Sequence, residues 1–225
     1  MVVSEGTGYR VDPRRTPGYR VARLVFEALC GTWFRPVVSG REKIPAEGAV
    51  ILAPVHRSFA DFGFNAFVTD RKLFFMAKDE LWERRSVGRL LDGLGAFPVN
   101  RAAADREALR RAEAVLRQGQ ALVLFPEGTR KSGPEVAPLL EGAAFLAART
   151  GAPIVPIGIG GSDLAMPKGL LVPRPLRIRV VVGDPLTPPV RAGTGRVPRS
   201  TVHATTEALR LAVQKAYDEA RAGSR

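Results

Sequence analysis

This 225-residue sequence predicts an α/β fold: one largely parallel central sheet flanked by helices, preceded by an N-terminal amphipathic helix. Three observations predict it. Short apolar runs of strand length alternate with stretches of helical periodicity, the pattern of strands joined by crossover helices. The runs are apolar on successive residues, as strands covered on both faces require. Hydrophobic residues make up 45% of the chain, enough for one sizeable core, and no linker divides it. The same composition excludes disordered and collagen-like classes.

Residues 1–16 read as a loose arm of Gly, Pro and Arg without apolar period. A helix signal begins at Thr16, with Pro17 suited to a first helical turn. Val21, Leu24, Val25, Ala28 and Leu29 recur at helical spacing, Arg20, Arg23 and Glu27 lie between them, and Trp33, Phe34 and Arg35 follow. An apolar stripe with Arg beside it and aromatics at its end suits an interfacial helix; an ordinary helix covering the core has the same pattern. Strands are expected at Ala49–Ala53, Leu73–Ala77, Ala96–Val99, Ala121–Phe125, Ile154–Ile159 and Ile178–Val182. Asp105 can cap a helix whose face is Ala108, Leu109, Ala112, Val115 and Leu116 and which Gly119 ends. Further helices are expected over Leu139–Arg149 and Thr205–Ala222, with a surface loop over Pro185–Pro198. Residues 1–40 are therefore read as arm and amphipathic helix, and 41–225 as one α/β domain.

The net charge is +12, and it is uneven: residues 1–41 carry +4 and 163–225 carry +6. Basic ends on a nearly balanced middle suit an anionic partner, either nucleic acid or a phospholipid head-group layer; 28 of the 34 basic residues are Arg, so genomic base composition is the plainer alternative. A single cysteine, Cys30, forms no internal disulfide, and two histidines, His56 and His203, make no zinc cluster. The longest uncharged stretch, Thr150 to Ser162, is far short of the roughly 20 residues that cross a bilayer. Tyr9 to Arg15 is polar and Arg-rich, unlike a secretory signal.

The most pointed segment is Pro54-Val55-His56-Arg57-Ser58-Phe59-Ala60-Asp61, directly after the first buried strand. His56 and Asp61 are five apart, so neither a continuous helix nor a strand brings them together. They meet if the chain turns between them, with His56 on the strand exit and Asp61 in a following helix. Otherwise they sit independently on a loop. Meeting, the carboxylate would fix the imidazole tautomer and leave the other nitrogen as a base. No G-x-S-x-G elbow is present and Cys30 has no evident base beside it, so such a base would act on a hydroxyl brought by the substrate.

A second segment, Phe125-Pro126-Glu127-Gly128-Thr129-Arg130, closes another strand. Gly128 lets backbone approach a ligand, Thr129 offers a hydroxyl and Arg130 a planar fork suited to phosphate. A capped turn with a surface salt bridge is the plainer alternative. His56 and Glu127 both follow strands, and the carboxyl ends of strands are where open α/β sheets bind ligands. Arg101 also follows a strand. Walker A and G-x-G-x-x-G signals are absent.

Taken together, these segments resemble the glycerolipid acyltransferase family, and within it the 1-acyl-sn-glycerol-3-phosphate acyltransferases. His56 to Asp61 matches the family's H-x4-D block, Gly95 to Arg101 its second block, Phe125 to Arg130 its third in full, and Ala152 to Ile157 its fourth. One departure is Glu141 before Gly142, where the family often has a basic residue; the chain also resembles compact bacterial members. The resemblance implies transfer of a fatty acyl group from acyl-CoA or acyl-acyl carrier protein to the free hydroxyl of 1-acylglycerol 3-phosphate, giving phosphatidic acid. In that scheme His56 and Asp61 are catalytic, while Arg101, Glu127, Gly128, Thr129 and Arg130 hold the acceptor phosphate. No cofactor and no metal are implied, only the acyl thioester as cosubstrate. The implied partners are a lysophospholipid and an anionic membrane surface, not nucleic acid, with the protein peripheral on the cytoplasmic face. Alternatives are another lysolipid or glycerol 3-phosphate as acceptor, hydrolysis of the thioester, or a nonenzymatic binder of anionic lipid or nucleic acid.

Overall fold

A computed structural model describes residues 17–99, 105–167, 172–188 and 197–224. The arm expected over residues 1–16 and most of the second half of the Pro185–Pro198 loop lie outside the described residues. Seven strands form one sheet: β1 Val37–Ser39, β2 Val50–Pro54, β3 Leu73–Lys78, β4 Ala96–Val99, β5 Ala121–Val123, β6 Ile154–Gly160 and β7 Arg179–Val182. Their order is β1-β7-β6-β2-β5-β3-β4, parallel throughout except for the antiparallel pair β6 and β7. Helices α1 Pro17–Phe34, α2 Asp61–Phe64, α3 Arg85–Gly93, α4 Arg106–Arg117, α5 Gly142–Thr150, α6 Ser162–Ala165 and α7 Arg199–Ala222 complete the described fold. The expected α/β architecture is present, with all six expected strands.

The core lies on the two faces of β2, β5 and β6, every residue of which is buried. Asp105 caps α4 as its sequence suggests, its Oδ1 accepting from the Ala108 N–H at 2.9 Å. Several features were not legible. β1 has only three residues, too few to show a period, yet it pairs with β7; the sheet thus begins before residue 41. α3 joins two expected strands with only Gly88 buried, so its sequence carries little core pattern. α5 begins at Gly142 rather than Leu139, because the Leu140 N–H is drawn to the Pro126 carbonyl at 2.8 Å. α7 begins at Arg199, a turn and a half before the expected Thr205.

In α1 the apolar stripe faces away from the core. Val21, Leu24 and Leu29 are 61%, 68% and 65% exposed. The opposite face anchors the helix: Phe26 lies 6.3 Å from the Phe67 ring, and Lys72 sits 5.6 Å above Tyr19. The Arg23 guanidinium donates to the carbonyls of Ala66, Thr69 and Arg71 at 2.6, 2.6 and 3.0 Å. The helix therefore covers the core through Tyr19, Cys30 and Phe34, while its aliphatic stripe stays outside. No helix among the described residues is long and apolar enough to cross a membrane.

Two glycines set how closely α7 lies on the sheet. A Cβ on Gly158 would collide with the Ala216 carbonyl, and one on Gly160 with that of Ala220. Gly158→Ala is expected to lower stability by about 1–3 kcal/mol through overpacking against backbone that cannot rotate away. Gly93→Ala, whose Cβ would meet nothing within 4 Å, is expected to leave stability unchanged or raise it by up to about 1 kcal/mol. Urea denaturation of the two variants measures the contrast.

Candidate active site

β2 and β5 are adjacent and parallel, so their carboxyl ends deliver two loops side by side. His56 leaves β2 one residue after Val55, whose N–H still holds the ladder to Ile157. The chain then turns through Arg57 to Ala60 and enters α2 at Asp61. The fully buried Asp61 carboxylate closes this turn. Its Oδ2 accepts from the N–H groups of Arg57 and Ser58 at 2.5 and 2.6 Å and faces His56 Nδ1 at 3.3 Å. Oδ1 is buried and unpartnered, so the carboxylate's contacts all run through the oxygen nearest the imidazole. The expected strand-to-helix turn thus brings His56 and Asp61 together.

With Nδ1 against a buried carboxylate, a neutral His56 carries its proton there and presents Nε2 as an acceptor. The ring is stacked on Phe125 at 4.2 Å, which fixes its plane. Nε2 has no hydrogen-bond partner among the described residues. A base held by a charge that also stabilises its protonated form is suited to removing a proton from a hydroxyl.

Glu127 has a different place from the one expected. Its side chain is fully buried and forms an ion pair with the equally buried Arg57. Arg57 Nη1 lies 2.8 and 2.7 Å from the two carboxylate oxygens. The remaining lone pairs accept the His56 N–H at 2.9 Å and the Ala137 N–H at 3.2 Å. A carboxylate so enclosed cannot grip a phosphate, which its charge would also repel; it holds the backbone of His56 instead. Of the other expected contacts, Thr129 and Arg130 are exposed, and Gly128 adopts a φ of 70° beside Leu140. They border His56, because the Lys131 N–H, next in sequence, donates to the His56 carbonyl at 2.9 Å. Arg101 lies outside the described residues.

Sequence reasoning missed Arg57 and Tyr217. The Arg57 guanidinium lies 4.9 Å over the Tyr217 ring, brought by α7. Burial raises the Tyr217 phenol above its ordinary pKa, Arg57 pulling the other way, so the ring remains neutral. No spacing rule links residues 160 positions apart; the one signal was a charged residue directly after His56, in the turn that follows a buried strand.

Comparison with known proteins fits this geometry. An acyltransferase family model matches residues 35–160. The chain belongs to the acyltransferase family. This acyltransferase is 27% identical over 180 residues to the 1-acyl-sn-glycerol-3-phosphate acyltransferase of Bacillus subtilis, covering 79% of this chain and 86% of that one. It is 26% identical to a chloroplastic 1-acyl-sn-glycerol-3-phosphate acyltransferase of Brassica napus, covering 69% of this chain but only 46% of the plant protein. Among solved structures it resembles the 1-acyl-sn-glycerophosphate acyltransferase PlsC of Thermotoga maritima. That likeness has a TM-score of 0.71 at 26% identity, over 89% of this chain and 79% of that one.

Removing one member of a sealed ion pair leaves the other charge buried alone. Glu127→Ala is expected to destabilise this acyltransferase by about 3–5 kcal/mol, measured by denaturant titration. Removing both charges, as in Arg57→Met with Glu127→Leu, is expected to cost less than Glu127→Ala alone, while activity stays low because the His56 N–H has lost its acceptor.

Proposed function

We propose that this acyltransferase moves a fatty acyl group from an acyl thioester, acyl-CoA or acyl-acyl carrier protein, to the free hydroxyl of 1-acylglycerol 3-phosphate, giving phosphatidic acid. What carries the proposal is the His56–Asp61 pair, open at Nε2 and bordered by the Gly128–Arg130 loop. The named activity of the Bacillus, Brassica and Thermotoga relatives supports the same acceptor.

His56 Nε2 takes the proton of the acceptor hydroxyl as its oxygen attacks the thioester carbonyl. Asp61 stabilises the imidazolium that forms. The tetrahedral intermediate collapses with loss of the thiolate, and the imidazolium returns its proton to the sulfur. Bonds balance without an enzyme-bound acyl group or a cofactor. Thr129 and Arg130, with the Gly128 backbone and Arg101, are assigned to the acceptor phosphate. Holding that phosphate places the hydroxyl at the base, an orientation effect of several kcal/mol, roughly 7–11 in ideal cases. Glu127 acts from beneath, as the acceptor of the His56 N–H.

The acceptor is an amphiphile, and the surface around the site suits a lipid–water boundary. The outward stripe of α1 carries Val21, Leu24, Val25 and Leu29 with Arg20 beside them. From its end the Trp33 indole donates to the Pro173 carbonyl at 3.0 Å, and the Arg174 N–H to that of Ala165 at 2.7 Å. Ser58 Oγ of the His56 loop donates to the Met166 carbonyl at 3.0 Å. These bonds join α1 to the catalytic loop through a rim bearing exposed Phe59, Leu164, Val172 and Leu176, interleaved with Arg174 and Arg177. An apolar and basic rim is what an anionic membrane surface binds.

Purified protein with lysophosphatidic acid and acyl-CoA or acyl-acyl carrier protein is expected to release the free thiol, and His56→Ala to lower turnover by at least about 10²-fold. Full activity in His56→Ala would sink the mechanism. Arg130→Ala is expected to raise KM for phosphate-bearing acceptors about 10- to 100-fold, the worth of one charge-assisted hydrogen bond. An acceptor panel with glycerol 3-phosphate and phosphate-free lysolipids separates the alternatives. The intact chain is expected to float with anionic vesicles, and a Val21→Ser, Leu24→Ser, Leu29→Ser variant to remain in the aqueous fraction.

A further inference from the structure

The strongest unexplained contact joins the stretch after β5 to α7, beyond the segment that the family model covers. The half-buried Gln214 side chain grips one short loop at two points. Its Oε1 accepts from the Val136 N–H at 2.7 Å, and its Nε2 donates to the Pro134 carbonyl at 3.0 Å. Both bonds flank Glu135, the residue whose carbonyl accepts from Arg57 Nη2 at 2.9 Å. The next N–H along, that of Ala137, goes to Glu127. One primary amide therefore braces the 134–137 stretch, in which the Glu135 carbonyl and the Ala137 N–H complete the bonding of the Arg57–Glu127 pair. Three positions on, Tyr217 covers the same guanidinium and its hydroxyl donates to Gly133 at 3.4 Å.

We propose that Gln214 is a positioning residue for catalysis. Its amide holds the 134–137 backbone against Arg57 and Glu127, and through them it fixes the His56 N–H. The ion pair has little to spare. Arg57 Nε is already buried without an acceptor, so losing the Glu135 carbonyl would leave two of its nitrogens unpaired in a dry site. The pair would then shift to find water or new acceptors, and His56, bonded to Glu127, would move with it. Glutamine suits the position because one side chain must both accept and donate; leucine does neither, and glutamate does only the first. The inference rests on His56 as the base.

The test is steady-state kinetics with lysophosphatidic acid and acyl-CoA, well below the melting transition. Gln214→Leu is expected to lower kcat about tenfold, short of the hundredfold that a misplacement of about 1 Å can cost. KM for both substrates is expected to stay within about twofold. On an Arg57→Lys background the same change is expected to cost less than about twofold, because residues acting through one contact are not additive. Gln214→Glu, which keeps length and the acceptor oxygen, is expected to fall between parent and Gln214→Leu; it stands in should the leucine variant not fold. Asp218→Ala removes the amide's other bond, 2.9 Å from Nε2 on the helix surface, and is expected to keep parental kcat. Unchanged kcat in both Gln214 variants, a full tenfold loss on the Arg57→Lys background, or an equal loss in Asp218→Ala would each overturn the proposal. Activity surviving in His56→Ala would instead overturn the assignment of the base, a result read independently of Gln214.

Discussion

The ion pair between Arg57 and Glu127 lies beneath everything the site does. Taking both charges out of water is expensive, and their attraction alone does not always repay it. Here the shortfall is met by backbone groups: the carboxylate accepts two N–H groups, and the guanidinium donates to the carbonyls of His56 and Glu135. Those four groups come from His56, just after β2, and from Glu135 and Ala137, well after β5. The pair therefore works as a clasp between the loop after β2 and the stretch that follows β5. His56 gains most, since its N–H is bonded to Glu127 and its carbonyl accepts from Lys131 and Arg57. Its backbone is held on both sides, while the ring is steadied by Asp61 and Phe125.

A base fixed in this way need not reorganise as it takes up a proton. Asp61 is already desolvated and already turned toward Nδ1, so the charge that balances an imidazolium stands in place beforehand. The unpartnered Oδ1 has a cost in stability, an unsatisfied buried acceptor in a carboxylate. Such costs gather where geometry matters more than stability.

How far the sequence revealed this varies from residue to residue. The meeting of His56 and Asp61 was legible as one of two readings of the strand-to-helix segment, and the match of all four blocks decided between them. The strands were legible because burial on both faces writes an uninterrupted apolar run. Glu127 was legible as important but not as to direction: a carboxylate after a strand can point out to a ligand or inward to a cation. The inward partner was Arg57, a residue whose charge suggests solvent. The stripe on α1 was legible as a stripe but not as to side. Helical periodicity shows that one face is apolar, not which side the body lies on, and here the body is gripped by Arg23, Tyr19 and Phe26 while the aliphatic residues stay outside. β1 had too few residues to write any pattern.

The four sequence blocks end with β6, yet the clasp they build is not closed by them. Tyr217 and Gln214 come from α7, and they reach Arg57 and the 134–137 loop only because α7 lies directly on β6. That approach depends on Gly158, where any side chain would meet the Ala216 carbonyl and push the helix off the sheet. An α7 lifted by even an ångström would lose hydrogen bonds of 2.7 and 3.0 Å before it lost much apolar contact, since hydrogen bonds weaken far more steeply with distance and angle. A strand glycine away from His56 and a glutamine in α7 thus belong to one mechanical path ending at the imidazole. The segment that carries the chemistry and the segment that keeps it in register are separate parts of the chain, and the second is invisible to a motif because its residues act only through contact.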